Sequence, residues 1–153
     1  MRVSTKFSDS IHLLAFIEVY KDIKITSSVI AISINTSPVV VRRLIIKLRK
    51  ANIIVNDENK QPSINGEPKN ISLFDVFMAT EGYADLFKID KDTNPLCIVG
   101  RNIQDILKKY YTEAQNAAYS KLNSLNMQDV IDNMLINDKI KKTNKKTALN
   151  LND

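Results

Sequence analysis

One cysteine, one histidine, three glycines and no tryptophan are spread over 153 residues, and each shortage closes off a class of function. A single thiol allows no internal disulfide framework, which fits a reducing compartment. Three glycines leave no glycine-rich loop to cradle phosphates. The opening stretch, MRVSTKFSDS, has no apolar run long enough for a signal peptide. Nowhere does the chain approach the roughly 18 consecutive apolar residues of a membrane span. A soluble, cytoplasmic protein with no membrane partner is therefore expected. No carboxylate pair, metal-ligand cluster or nucleophile–base set appears, so no enzymatic role and no metal site is expected.

What is present is a 44% apolar fraction, enough for the core of one small domain with an appended element. The net charge of +5 is unevenly placed. Residues 36–50 alone carry +5 with no acidic residue, while 51–136 sum to −4 and 137–153 to +3. A short basic segment of this kind is either a solvated helix face or a phosphate-binding surface.

Apolar residues Phe7, Ile11, Leu14, Ala15 and Val19 recur at helical spacing, with Ser8 or Asp9 available as cap. His12 lies on this helix with no second ligand at metal spacing and reads as an ordinary helix residue. Thr26 and Ser27 cap a second, short helix through about Ile34. Ser37 caps a third, with Pro38 at its first position, where no amide donor is needed. That helix is expected to run to Asn52, with Val41, Leu44, Ile45 and Leu48 buried and the basic residues mainly on the other faces. Two short helices joined by a tight polar turn, the second of them basic, describe a helix-turn-helix. Short apolar pieces at Ile53–Val55 and around Ile64 flank a polar loop and read as a two-stranded wing. SLFDVFMATEG is a fourth helix, capped by Ser72 and stopped at Gly82. The expected fold class is thus mostly α with a small β wing.

Residues 83–99 look irregular. From Gly100, Ile103, Leu107, Tyr110, Ala114, Ala117, Leu122 and Leu125 keep a near-heptad spacing, and so long a helix calls for a second copy as partner. MQDVIDNML reads as a short closing helix, and the lysine-rich remainder, 137–153, as disordered. The expected organisation is a winged helix-turn-helix over 1–82, a connector or sensor segment over 83–99, dimerisation and closing helices over 100–136, and a basic tail.

Four stretches carry a resemblance: MRVSTKFSDSIHLLA, INTSPVVVRRLIIKLRKAN, ISLFDVFMATEG and NPLCIVGRNIQDIL. Together they place residues 1 to about 135 in register with the Rrf-two (Rrf2) family of winged-helix transcriptional regulators. The chain is most similar to the YwnA-like branch, whose members lack an iron–sulfur cluster. The resemblance implies a homodimer, joined through helix 100–125, that binds a pseudo-palindromic double-stranded DNA operator, typically as a repressor. Carried over position by position, it implies base-edge contacts from Ser37, Val39, Arg42 and Arg43. Arginine bonds guanine bidentately and valine meets a thymine methyl. Phosphate contacts are implied for Arg2, Thr5, Lys6, Thr26, Ser27 and Lys47. Where relatives carry a glycine-rich wing tip, this chain has NDENKQPS, leaving Lys60 as the only basic residue there. Val29 and Ile32 stand where relatives commonly have charge, as an apolar patch or as loose packing.

Cluster-binding members use three closely spaced cysteines before the long helix. Here only Cys97 exists, so no iron–sulfur cofactor is expected. A cysteine hydrolase would need a histidine base near the thiol, and the one histidine lies in the other half of the chain. Two readings of Cys97 stand: a small buried residue packed between Leu96 and Ile98, or a redox or electrophile sensor. An arginine and a helix N-terminus close by favour a thiolate. At the level of the whole chain, the alternatives to a DNA-binding regulator are a module binding an acidic protein or RNA, and a regulator that senses a small molecule with Cys97 purely structural.

Overall fold

The computed structural model describes residues 4–83 and 85–150. Helix α1 (Lys6–Val19) turns Leu13, Leu14, Ala15 and Ile17 into the core. Thr5, not Ser8 or Asp9, occupies its cap position and makes no side-chain cap bond; its carbonyl accepts from the Asp9 amide at 2.8 Å. Helix α2 (Ser27–Ile34) starts where the Thr26 hydroxyl accepts the Val29 amide. It ends at Asn35, whose left-handed backbone lets the Thr36 amide reach back to the Ala31 carbonyl. The chain then turns by 106° into α3 (Pro38–Lys50), within the range of a helix-turn-helix. Ser37 caps α3 through the Val40 amide, and the buried residues are Val41, Leu44, Ile45 and Leu48. Asn52 does not extend the helix: it takes a left-handed turn, and the Ile53 amide closes on the Leu48 carbonyl.

Strands β1 (Ile54–Asn56) and β2 (Pro62–Ile64) form an antiparallel hairpin in which Ile54 faces Ile64 and Asn56 faces Pro62. Both isoleucines are buried under α1 and α3, which anchors the hairpin to the body. Helix α4 (Leu73–Thr80) opens on a reciprocal capping box between Ser72 and Asp75.

The long helix α5 (Ile98–Ser124) begins two residues earlier than Gly100, with Cys97 at its cap. None of its residues is buried within one chain. It rests on α4 through Tyr119, whose ring lies 5.0 Å from Phe74 and 5.5 Å from Phe77. The expected apolar stripe divides in two. Ile103, Leu107, Leu122 and Leu125 are half-buried on the chain's own side, joined by Tyr111, whereas Tyr110, Ala114 and Ala117 are exposed together with Ile106.

The α5–α6 turn is tied to the start of α4, the Leu73 amide donating to the Leu125 carbonyl and the Met127 amide to the Ile71 carbonyl. Helix α6 (Met127–Asn150) then buries Met127 and Ile131 against the core. It is much longer than a short closing helix, and the expected disorder from residue 137 is corrected as far as Asn150. Local bonds continue it through the polar stretch, among them an ion pair between Asp138 and Lys142 at 2.7 Å. The architecture is mostly α with a small two-stranded sheet, and no helix among the described residues is long and apolar enough to cross a membrane.

Candidate DNA-binding surface

Burial of Val41, Leu44, Ile45 and Leu48 leaves the opposite side of α3 in solvent. Ser37, Val39, Arg42, Arg43, Ile46 and Arg49 are all exposed there. Arg42, Ile46 and Arg49 follow one another at four- and three-residue steps, so they form a single stripe along the helix. That stripe is one wall of a cleft of about 390 Å³ between α3, the start of α2 and the hairpin. Thr26 and Ser27 line it from α2, and Asn56, Lys60 and Pro62 from the wing. Within it the Arg49 guanidinium donates to Asn56 Oδ1 at 2.7 Å, joining the helix to the wing.

The wing tip is shaped without glycine. Asp57 Oδ1 accepts the amides of Asn59 and Gln61, both at 2.8 Å, and the Asp57 amide donates to the Gln61 carbonyl. Gln61 in turn accepts the Ile25 amide through Oε1 at 2.6 Å, which ties the tip to the entrance of α2. In this turn Lys60 adopts φ +60°, a left-handed conformation, and its side chain is exposed on the rim of the cleft.

Of the residues singled out in the sequence, Thr26, Ser27, Arg42 and Lys60 come together in this cleft, while Ser37, Val39 and Arg43 lie on the exposed side of the same helix. Thr5 and Lys6 are exposed at the start of α1, and Arg2 lies outside the described residues. Lys47, expected to contact phosphate, has an intramolecular partner in the chain alone. It is half-buried and its ammonium donates to the Thr80 carbonyl at 2.8 Å, closing the C-terminal end of α4. Arg49, Asn56 and Ile46 were missed. The seven-residue step from Arg42 to Arg49 was a readable signal for the second arginine, whereas Asn56 joins only through the hairpin fold. Val29 and Ile32 on α2 are exposed, Ile32 at 80%, so they form an apolar patch and not loose packing.

Cys97 is also exposed, between the exposed Leu96 and Ile98, which rules out the packed reading within one chain. The backbone amides of Gly100 and, after it, Val99 at the start of α5 hold the pKa of the thiol below its usual value. The start of α5 is held tightly. The Thr93 hydroxyl donates to the Gly100 carbonyl at 2.6 Å, and a side chain on Gly100 would collide with the Asn94 carbonyl.

His12 Nε2 meets Ser33 Oγ at 2.8 Å, joining α1 to α2. No group of three His, Cys, Asp or Glu among the described residues is arranged to hold a metal ion.

Comparison with known proteins gives the same architecture. Residues 3–133 match the family model Rrf2, described as iron-dependent transcriptional regulators. The chain is 35% identical over 133 residues to a Bacillus subtilis (strain 168) protein named as an HTH-type transcriptional regulator, YwnA, covering 86% of this chain and 98% of that one. A crystal structure described as that of a DNA-binding protein is also 35% identical, with a TM-score of 0.65 over 82% of this chain and 98% of the other. CymR, the global cysteine regulator of B. subtilis, shares the fold at 17% identity and a TM-score of 0.64, covering 86% and 97%. The iron in the family's description does not fit the donors of this chain, which has one thiol, no cysteine beside it, and a histidine already bonded to Ser33.

Proposed function

Since the chain belongs to the Rrf2 family of transcriptional regulators, we propose that it is a cytoplasmic, sequence-specific DNA-binding repressor that works as a homodimer without an iron–sulfur cluster. The observation that carries this reading is the convergence of Arg42 and Arg49 from α3, the Thr26 and Ser27 cap of α2, and Lys60 from the wing on one cleft. Hydroxyls and amides at a helix start suit phosphate, and an exposed arginine stripe on the second helix of a helix-turn-helix suits base edges. Val39 and Ile46 add apolar surface for thymine methyls.

The exposed face of α5, with Ile106, Tyr110 and Ala117 about two turns apart or less, supports a second copy as its cover. Two recognition helices related by a two-fold axis would meet a palindrome. Cys97, exposed and with a favoured thiolate, supports a redox input. In that step the thiolate sulfur attacks a peroxide, the O–O bond breaks, sulfenic acid forms and water leaves after protonation. Cys97→Ser removes it. Equal DNA release by peroxide from wild type and variant would exclude the sensor.

The test is a gel shift on the DNA upstream of the chain's own coding sequence, with a salt titration. A repressor of this kind prefers one palindrome by about 10³-fold or more over random duplex and weakens steeply with salt. Equal binding to any duplex, or to RNA or an acidic protein alone, contradicts it.

A further inference from the structure

The end of α6 lies beyond residue 133, where the family match stops. Between Asp138 and Lys146 it carries five lysines against one aspartate, and residues 132–147 are all exposed. Met134, Leu135, Asp138 and Lys142 run beside α1 along a groove of about 590 Å³ that ends at Val19 and Tyr20. Tyr20 closes α1, and from there the chain crosses, through the exposed Lys21 and Lys24, to the Thr26 cap of α2 on the candidate DNA surface. Lys145 and Lys146 continue the basic run past that point.

We propose that the segment from Lys139 to Lys146 is a basic arm that rests on the phosphate backbone of DNA flanking the base pairs under α3. The inference rests on the DNA-binding reading above. Lys139, Lys142 and Lys146, three and four residues apart, share one side of the helix over about 10 Å. Successive phosphates advance about 3.4 Å along the axis of each strand, so that side spans several of them. The run holds lysines and no arginine, which suits point-charge contacts to a backbone better than bidentate reading of a base. The one ion pair within it, Asp138–Lys142, is exposed on both sides and is easily exchanged for a phosphate.

The experiment compares the wild-type chain with two variants, all five lysines (Lys139, Lys141, Lys142, Lys145, Lys146) changed to Gln in one and to Arg in the other. Binding to a random-sequence duplex of about 40 base pairs is followed by fluorescence anisotropy from about 50 to 200 mM salt, the range over which phosphate contacts are lost. The Gln variant is expected to lower the slope of log affinity against log salt by about 2–4, each phosphate contact contributing about 0.9. The Arg variant should keep the wild-type slope, and the preference for the chain's own upstream DNA should be unchanged in both. An unchanged slope in the Gln variant overturns the arm, as does an equal loss in the Arg variant, which would mean a structural cause. If the wild type binds no duplex at all, the DNA-binding reading falls and the arm falls with it.

Discussion

At the scale of the residue, Lys60 separates what the fold needs from what the function needs. Its left-handed backbone is a conformation that glycine adopts freely and that costs another residue about 1–2 kcal/mol. Retaining a lysine there makes sense if its charge is used at the rim of the cleft. Lys60→Gly is therefore expected to leave thermal stability equal or higher while weakening DNA binding; a variant with undiminished affinity would remove Lys60 from the interface. Cys97 yields a prediction of the opposite kind, set by its surroundings and not by its own chemistry. Because the Gly100 amide, then the Val99 amide, stabilises the thiolate, the pH profile of alkylation by iodoacetamide should have a lower midpoint in the folded chain than in urea. Coinciding midpoints would show that the helix start does not act on the sulfur. Neither the backbone angle of Lys60 nor the exposure of Cys97 was legible in the sequence. The first follows from an aspartate-closed turn, and the second from a connector that lies on the surface despite its apolar letters.

At the scale of the element, the boundaries that rest on local chemistry were readable and those that rest on distant partners were not. Ser37–Pro38 and the 3.6-residue period place α3 within two residues of its observed end, and Ser72 marks α4. The capping box there predicts that Ser72→Ala lowers unfolding stability by about 1 kcal/mol in urea titration, because the Asp75 amide loses the hydroxyl that accepts it. A change below a few tenths would mean that the Leu73–Leu125 and Met127–Ile71 backbone bonds suffice at this corner. The stripe on α5 was expected as one face toward a second copy, yet Ile103, Leu107, Leu122 and Leu125 are half-buried on the chain's own side, because which side faces inward depends on the Phe74, Phe77 and Tyr119 rings meeting across two helices. Likewise α6 runs on to Asn150 although its second half has no apolar period, since side-chain pairs within the helix take over from packing. The bond from Lys47 to the Thr80 carbonyl was not legible either, since it depends on the proximity of α4.

At the scale of the molecule, the arginine stripe of α3 and the Ile106–Tyr110–Ala117 side of α5 are two of the faces that the chain's own fold leaves uncovered. DNA is the proposed cover of the first and a second copy that of the second. Ala117→Asp puts a charge in the middle of the α5 face, where it meets little in the single chain. Sedimentation should then report a monomer with unchanged helix content; a persistent dimer would move the interface elsewhere. The central claim is that α3 reads sequence, and enrichment of duplexes from a randomised pool tests it most directly. Wild type is expected to enrich a palindrome, and Arg42→Ala or Arg43→Ala to lose about 1–3 kcal/mol of discrimination at one position in each half-site. Full retention of the wild-type preference in both variants would contradict the account.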